Sequence, residues 1–192
     1  MHANEEKLRR NKRFLLLIFA VCAAPFVAAW AMYFLWQPQA RMNYGDLIST
    51  PLDADPELNR IGGGTFKLSQ LRGKWLLLHI DSGNCAEKCR QKLHFMRQLR
   101  LAQGKNQGRI ERVWLLTDNS APEASLLREY PEVYMLSGAK DFLARFQPAG
   151  KTDGHIYVVD PLGNLILRFP ENPEPKGMIK DITRLLSVSR IG

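Results

Sequence analysis

The chain has 192 residues and a formal net charge of +8, and the distribution of this charge argues against nucleic-acid binding. The first 13 residues alone carry five basic and two acidic side chains, and the remaining excess is spread thinly over the rest of the chain. A mildly basic domain beside an anionic membrane, or one that docks an acidic partner, accounts for such a charge. Nucleic acid is therefore not a predicted partner.

An apolar segment follows the basic tail of residues 1–13. Residues 14–36 form a 23-residue stretch without a charged side chain, and roughly 20 apolar residues are enough to cross a bilayer core as a helix. A cleavable signal peptide is the alternative, but the stretch exceeds the apolar core of about 7–15 residues that is usual in signal peptides. The pattern predicts one uncleaved transmembrane helix over residues 14–36.

The flanking charges predict the orientation of this helix. Its N-terminal side carries Lys7, Arg9, Arg10, Lys12 and Arg13, whereas the first basic residue after it is Arg41. Because basic flanks stay in the cytoplasm, residues 37–192 are expected outside it. In a bacterium this means a single-pass inner-membrane protein with a periplasmic C-terminal domain. That compartment is oxidising, so paired cysteines there are expected to undergo disulfide chemistry.

The exported part divides into a linker, over residues 37–64, and one domain, over residues 65–192. The linker is rich in proline and ends in three glycines at 62–64. Beyond it, apolar runs and helical periodicity alternate. The predicted elements are strand 75–80, helix 86–102, strand 113–117, helix 122–130, strand 133–136, helix 140–147, strands 155–160 and 165–169 joined by a hairpin turn, and helix 176–187. Helix-linked strands followed by a hairpin predict an α/β thioredoxin-like fold with a mixed central sheet.

Two cysteines, Cys85 and Cys89, fall directly after the first buried strand, where a helix begins. Residues four apart on an ideal helix have Cβ atoms about 5–6 Å apart, whereas a disulfide needs about 3.8 Å. A disulfide is therefore expected only if Cys85 lies in the turn before the helix. The spacing also leaves room for an ion between the sulfurs. Two thiolates suit Cu(I), and an added imidazole suits both Cu(I) and Cu(II).

With these features the chain resembles the Sco/SenC proteins, which are membrane-anchored, have the thioredoxin fold and help to assemble the copper centre of cytochrome c oxidase. The resemblance covers residues 65–187 together with the anchor. The motifs that carry it are Gly73-Lys74-Trp75, Cys85-x-x-x-Cys89 and the hairpin Tyr157-Val158-Val159-Asp160-Pro161-x-Gly163-Asn164. It implies copper as a cofactor, and a cytochrome c oxidase subunit or another membrane respiratory assembly factor as partner.

The resemblance also implies a set of metal ligands, two cysteines and one histidine. Cys85 and Cys89 match directly. The place of the family's histidine is occupied by Thr152, and His155 lies three residues later, at the start of a predicted strand. His155 is therefore the expected third ligand, or a base that activates a thiol, with a backbone-bonded strand-edge residue as the alternative. His79, at the end of the first strand, is interpreted as a core or edge histidine whose hydrogen bonds are satisfied.

Three functions stay open at this point. The first is a membrane-tethered protein that binds or delivers copper through Cys85 and Cys89 during oxidase assembly. The second is a thiol-disulfide oxidoreductase, in which Cys85 attacks and Cys89 resolves, that keeps a partner's copper-binding cysteines reduced. The third is a non-catalytic assembly scaffold in which the disulfide only staples the turn. Gly154 occupies the position where thioredoxins place a cis-proline, which weakens the general reductase interpretation.

Overall fold

The computed structural model describes residues 2–35, 43–52, 55–137, 140–149 and 154–191. Parts of the predicted linker, the last residue of the predicted anchor (Trp36), and Thr152 lie outside the described residues. The chain divides into two compact units, Met1–Met42 and Asn43–Gly192.

The first unit consists of helix α1, His2–Leu35, with Pro25 inside it. The stretch Asn11–Phe34 is long and apolar enough to cross a membrane, judged by its length and composition. Most of its large apolar side chains are exposed, Phe19 and Phe26 among them, as lipid-facing residues would be. The predicted N-terminal apolar helix is thus present.

The second unit is built on one eight-stranded mixed sheet. Its strands are β1 (Asp46–Pro51), β2 (Leu58–Arg60), β3 (Thr65–Phe66), β4 (Trp75–Asp81), β5 (Ile110–Leu116), β6 (Val133–Ser137), β7 (Ile156–Val159) and β8 (Asn164–Arg168), in the spatial order β1-β8-β7-β4-β5-β6-β2-β3. Strands β4, β5 and β6 are parallel, and β7 joins β4 antiparallel. The helices are α2 (Glu87–Ala102), α3 (Ala124–Glu129), α4 (Lys140–Leu143) and α5 (Pro175–Val188).

Two of these strands, β1 and β2, lie inside the segment that the sequence indicates as a linker. Strand β1 pairs with β8, and β2 pairs with β6, so both extend the sheet. Strand β1 is at the edge of the sheet, and β2 is a three-residue strand between β6 and β3. Both have few buried side chains, and for that reason they lack the apolar runs by which the inner strands are recognised.

Strand β4 positions the functional residues. Its first six residues are all buried, because strands pair with both of its edges and apolar clusters cover both of its faces. Helix α2 begins a few residues after β4 ends and lays Leu93, Met96 and Leu99 into the core. The carboxyl end of β4 and the N-terminus of α2 therefore meet at one place, and the chain between them contains the first cysteine.

Candidate redox and metal site

The two cysteines form a disulfide, Cys85–Cys89, with their Cα atoms 5.1 Å apart. Cys85 lies in the turn before α2 and has a positive φ of 20°. Cys89 is inside the helix, and its N–H donates to the carbonyl oxygen of Ala86 at 2.9 Å. The disulfide is compatible with the four-residue spacing because Cys85 is outside the helix. Both cysteines are buried, at 2% and 1% exposure.

The loop before the cysteines is held by Asp118, which follows β5. The Ser82 hydroxyl donates to Asp118 Oδ2 at 2.6 Å, and the Gly83 N–H donates to Asp118 Oδ1 at 3.1 Å. These hydrogen bonds, the one from the Ser82 hydroxyl above all, lower the pKa of the Asp118 carboxyl. A Cβ at Gly83 would lie 1.9 Å from the Ser120 carbonyl oxygen. Glycine is thus required for the close approach of these two loops.

Directly beneath Cys89 lie His79 and Asp81, which share one face of β4. His79 is fully buried, and its Nδ1 lies 3.1 Å from the carbonyl oxygen of His155. Its Nε2 lies 3.4 Å from Asp81 Oδ2 and has no hydrogen-bond partner among the described residues. One donor atom each from His79, Asp81 and Cys89 all lie within 4.8 Å of one another. Among the described residues, this is the group of three whose side chains could hold a metal ion.

Opposing effects act on the carboxyl of Asp81. Burial by itself raises its pKa, but His79, the N–H of Ser82 and the charge of Lys92 together outweigh burial and lower it. Lys92, on α2, is only 3% exposed, and burial lowers its pKa although Asp81 and Glu171 act in the opposite direction. The acidic and basic groups beside the disulfide are therefore partly removed from water and electrostatically coupled.

His155 lies at the neighbouring strand start but outside the group of three. Its Nδ1 lies 2.8 Å from the carbonyl oxygen of Phe169, and its ring packs edge-on against Tyr157, with centroids 6.2 Å apart. The preceding residue, Gly154, has a φ of 79°, and its N–H donates to the carbonyl oxygen of Ile80 at 3.1 Å. This bond ties the start of β7 to the end of β4, which sets His155 beside the site without placing its ring at the sulfurs.

The sequence indicates a satisfied core or edge histidine at position 79 and predicts no role for Asp81 or Lys92. In the structure His79 and Asp81 have donor atoms within 4.8 Å of the Cys89 sulfur, and the charge of Lys92 acts on Asp81. A signal was present in the sequence, because His79 and Asp81 are two apart on a strand and therefore project to the same face. Whether the histidine ring has hydrogen-bond partners depends on tertiary contacts, which sequence periodicity does not predict.

Solved structures with the same fold include copper-bound Sco proteins and a thiol-disulfide oxidoreductase. Yeast Sco1 with copper bound has a TM-score of 0.60 at 18% identity, over 74% of this chain and 95% of that one. ScoI of Arabidopsis thaliana with copper bound has 0.55 at 16%, over 76% and 99%. The thioredoxin domain of a Bacteroides vulgatus thiol-disulfide oxidoreductase has 0.55 at 17%, over 73% and 99%.

At these identities the likeness concerns the fold. It confirms the predicted thioredoxin-like fold with a mixed sheet, and the Sco structures agree with the resemblance that the sequence motifs indicate. A comparison with curated protein sequences found no match.

Family models match both parts of the chain. The model described as the transmembrane-like, thioredoxin-like C-terminal domain matches residues 75–189, which is more than half of the chain. The model described as the transmembrane-like N-terminal domain matches residues 7–35. The chain therefore belongs to the transmembrane-like, thioredoxin-like family.

Proposed function

We propose that this chain binds or delivers copper through Cys85 and Cys89 and thereby aids the assembly of cytochrome c oxidase. It would do so from a bacterial inner membrane, with residues 1–13 in the cytoplasm and the thioredoxin-like unit in the periplasm. The charge asymmetry around the anchor supports this orientation. A cytochrome c oxidase subunit, or another membrane respiratory assembly factor, is the proposed partner.

The observation that carries the proposal is the position of the two sulfurs. They lie at the N-terminus of α2, where the unpaired amide groups and the helix dipole stabilise thiolates. A buried imidazole nitrogen without a hydrogen-bond partner lies close beside them. Thiolate and imidazole are the donors that proteins use for copper, so the residues present fit this metal once the disulfide is reduced.

The direct test is a Cu(I) titration of the full chain in detergent, with the cysteines reduced, against a chromophoric Cu(I) chelator. The proposal expects one equivalent bound with sub-micromolar affinity or tighter. Cys22, in α1, offers a matched control, because Cys22→Ser should leave binding unchanged whereas Cys85→Ser should remove it. Failure of the wild-type chain to bind one equivalent would refute copper binding.

The second candidate function is thiol-disulfide exchange, and the disulfide in the structure favours it. A partner's dithiol would reduce Cys85–Cys89 through a mixed disulfide and itself become a disulfide, or the reduced pair would do the reverse to a partner. The reduction potential of the pair separates exchange from a structural staple. A value below about −300 mV would indicate an inert staple, and a higher value would support exchange.

A further inference from the structure

The buried histidine beside the disulfide, His79, has one ring nitrogen that lacks a hydrogen-bond partner among the described residues. His79 Nδ1 lies 3.1 Å from a backbone carbonyl oxygen, that of His155. A carbonyl oxygen only accepts, so Nδ1 must carry the hydrogen of this bond. In the neutral ring Nε2 then has a lone pair and no hydrogen. Yet Nε2 is buried and has no hydrogen-bond partner in the part of the chain that the structure describes, whereas buried polar atoms are nearly always paired.

The group nearest to this lone pair is itself an acceptor. Asp81 Oδ2 lies 3.4 Å from His79 Nε2. A carboxylate facing an imidazole lone pair is repulsive, and the buried position weakens solvent screening of that repulsion. The arrangement therefore requires a cation between the two atoms. Either a proton occupies Nε2, which makes an imidazolium-carboxylate pair, or a metal ion binds there.

A third possible donor atom, the sulfur of Cys89, makes this group suitable for a metal ion. Cys89 Sγ lies within 4.8 Å of the chosen donor atoms of both His79 and Asp81. Around a tetrahedral ion with bonds of about 2.0–2.3 Å, neighbouring donors are about 3.3–3.8 Å apart. The nitrogen-oxygen separation of 3.4 Å already lies in this range. Cys85 Sγ is bonded to Cys89 Sγ, so reduction releases a second sulfur at the same place.

The ring of His155, unlike that of His79, is not part of a group of possible metal donors in the described part of the chain. Its ring is fixed through Nδ1 to the carbonyl oxygen of Phe169 at 2.8 Å, and it lies against Tyr157. The backbone of His155, rather than its ring, contributes to the site, because its carbonyl oxygen fixes the tautomer of His79. Metal-binding histidines commonly have such an outer acceptor on the second ring nitrogen.

We infer that His79 Nε2 is the imidazole ligand of the metal ion bound by the reduced cysteine pair, with the Asp81 carboxylate beside it as an oxygen donor that favours Cu(II) over Cu(I). The inference rests on the proposed copper binding and names its third ligand. Before the ion can bind, an external dithiol must supply two electrons and two protons, which convert the disulfide into two thiols and oxidise the donor to a disulfide. Binding then releases the thiol protons, together with any proton on Nε2.

The test uses the wild-type full chain in detergent, labelled with ¹⁵N at histidine and titrated with Cu(I), which is diamagnetic. The inference expects the His79 Nε2 resonance to shift on addition of one equivalent, while the resonances of His155 and of exposed His94 stay in place. A shift at His155 with His79 unchanged would overturn the inference and leave the proposed function intact. Absence of any copper binding would overturn both.

Matched substitutions give a second readout that does not depend on assignment of the resonances. His79→Asn is expected to weaken Cu(II) binding at least about 10-fold, and His155→Asn less than about threefold. Since His79 is fully buried, its variant must first match the wild-type circular dichroism spectrum. If it does not, Asp81→Asn is the substitute, and it should weaken Cu(II) more than Cu(I) because a carboxylate favours the harder ion. Equal affinities in the His79 and His155 variants would contradict the inference.

Discussion

Two neighbouring strand ends meet at the cysteine pair, and each contains a histidine. At the end of β4, His79 is fully buried, its Nε2 lies 3.4 Å from Asp81 Oδ2, and Cys89 belongs to the same group of possible donors. At the start of β7, His155 is half-buried and packs against Tyr157. In both rings Nδ1 lies at hydrogen-bond distance from a backbone carbonyl oxygen. The two residues therefore share one tautomer and differ only in what surrounds the other nitrogen.

This difference shows that a histidine close to the family motif in sequence need not be the histidine closest to the donor group in space. The family resemblance favours His155, because it lies close in sequence to the place of the family's histidine. The geometry favours His79, because its buried Nε2 has no hydrogen-bond partner within the described ranges and lies beside a carboxylate, an arrangement that a cation would stabilise. Substitutions at each strand end should therefore affect copper binding to different extents.

The largest loss of copper affinity is expected from removal of a sulfur, because both sulfurs are needed whichever histidine is the third ligand. Cys89→Ser should lower Cu(I) affinity by at least about 100-fold, more than the loss of an outer contact costs. Under oxidising conditions it should also lower the free energy of unfolding by about 2 kcal/mol, the chain-entropy value for so short a loop. Chelator competition and urea unfolding measure the two effects, with Cys22→Ser as the control. Undiminished copper affinity would place the metal elsewhere.

Gly83→Ala should damage the β4 end selectively. The added Cβ would lie 1.9 Å from the Ser120 carbonyl oxygen, so the loop before Cys85 must move away from Asp118. Overpacking of this kind costs about 1–3 kcal/mol, and the free energy of unfolding should fall by that amount. The copper site should weaken with it, because the loop sets the position of the first sulfur. Gly108→Ala is the matched control, since a Cβ there meets nothing within 4 Å.

Gly154→Ala tests the β7 end in the same way and should have a smaller effect. Gly154 has a φ of 79°, and a Cβ there would meet only side-chain atoms at 3.4 Å or beyond. The cost is that of the left-handed backbone, roughly 1–2 kcal/mol. Urea unfolding should show this loss. Copper affinity should fall less than in Gly83→Ala if His155 contributes only its backbone. A larger fall in copper affinity than in Gly83→Ala would favour the ring of His155 as the ligand.

The smallest effect concerns pH. The Ser82 hydroxyl and the Gly83 N–H hold the pKa of Asp118 below its usual value of 3.8. Because the pKa is lowered on folding, the stabilisation is present above pH 3.8 and is lost as the pH falls through the lower, folded-state pKa. Ser82→Ala should therefore lower the free energy of unfolding near neutral pH, and by progressively less as the pH falls through the folded-state pKa, so that the acid dependence of unfolding is reduced. Unfolding curves at pH 3 to 6 measure this, and identical acid dependence in wild type and variant would contradict it.

Much of this architecture was predictable from sequence, because the inner strands are continuous apolar runs and the long helices have clear periodicity. Helix α2 begins within one residue of its predicted start. Strands β1 and β2 were not predicted, because each buries too few side chains to leave an apolar pattern in the sequence. The cysteine pair was evident from its place after β4. The importance of His79 was not, since it depends on the backbone carbonyl of a residue 76 positions away.

The most direct test of the account is X-ray absorption at the copper edge on the Cu(I)-loaded full chain. Two sulfur neighbours and one nitrogen neighbour are expected, and the nitrogen should be lost in His79→Asn and kept in His155→Asn. A spectrum without sulfur neighbours would contradict the central claim that Cys85 and Cys89 bind copper. If the nitrogen neighbour is kept in His79→Asn and lost in His155→Asn, the cysteines still bind copper, but the imidazole ligand is His155 at the start of β7.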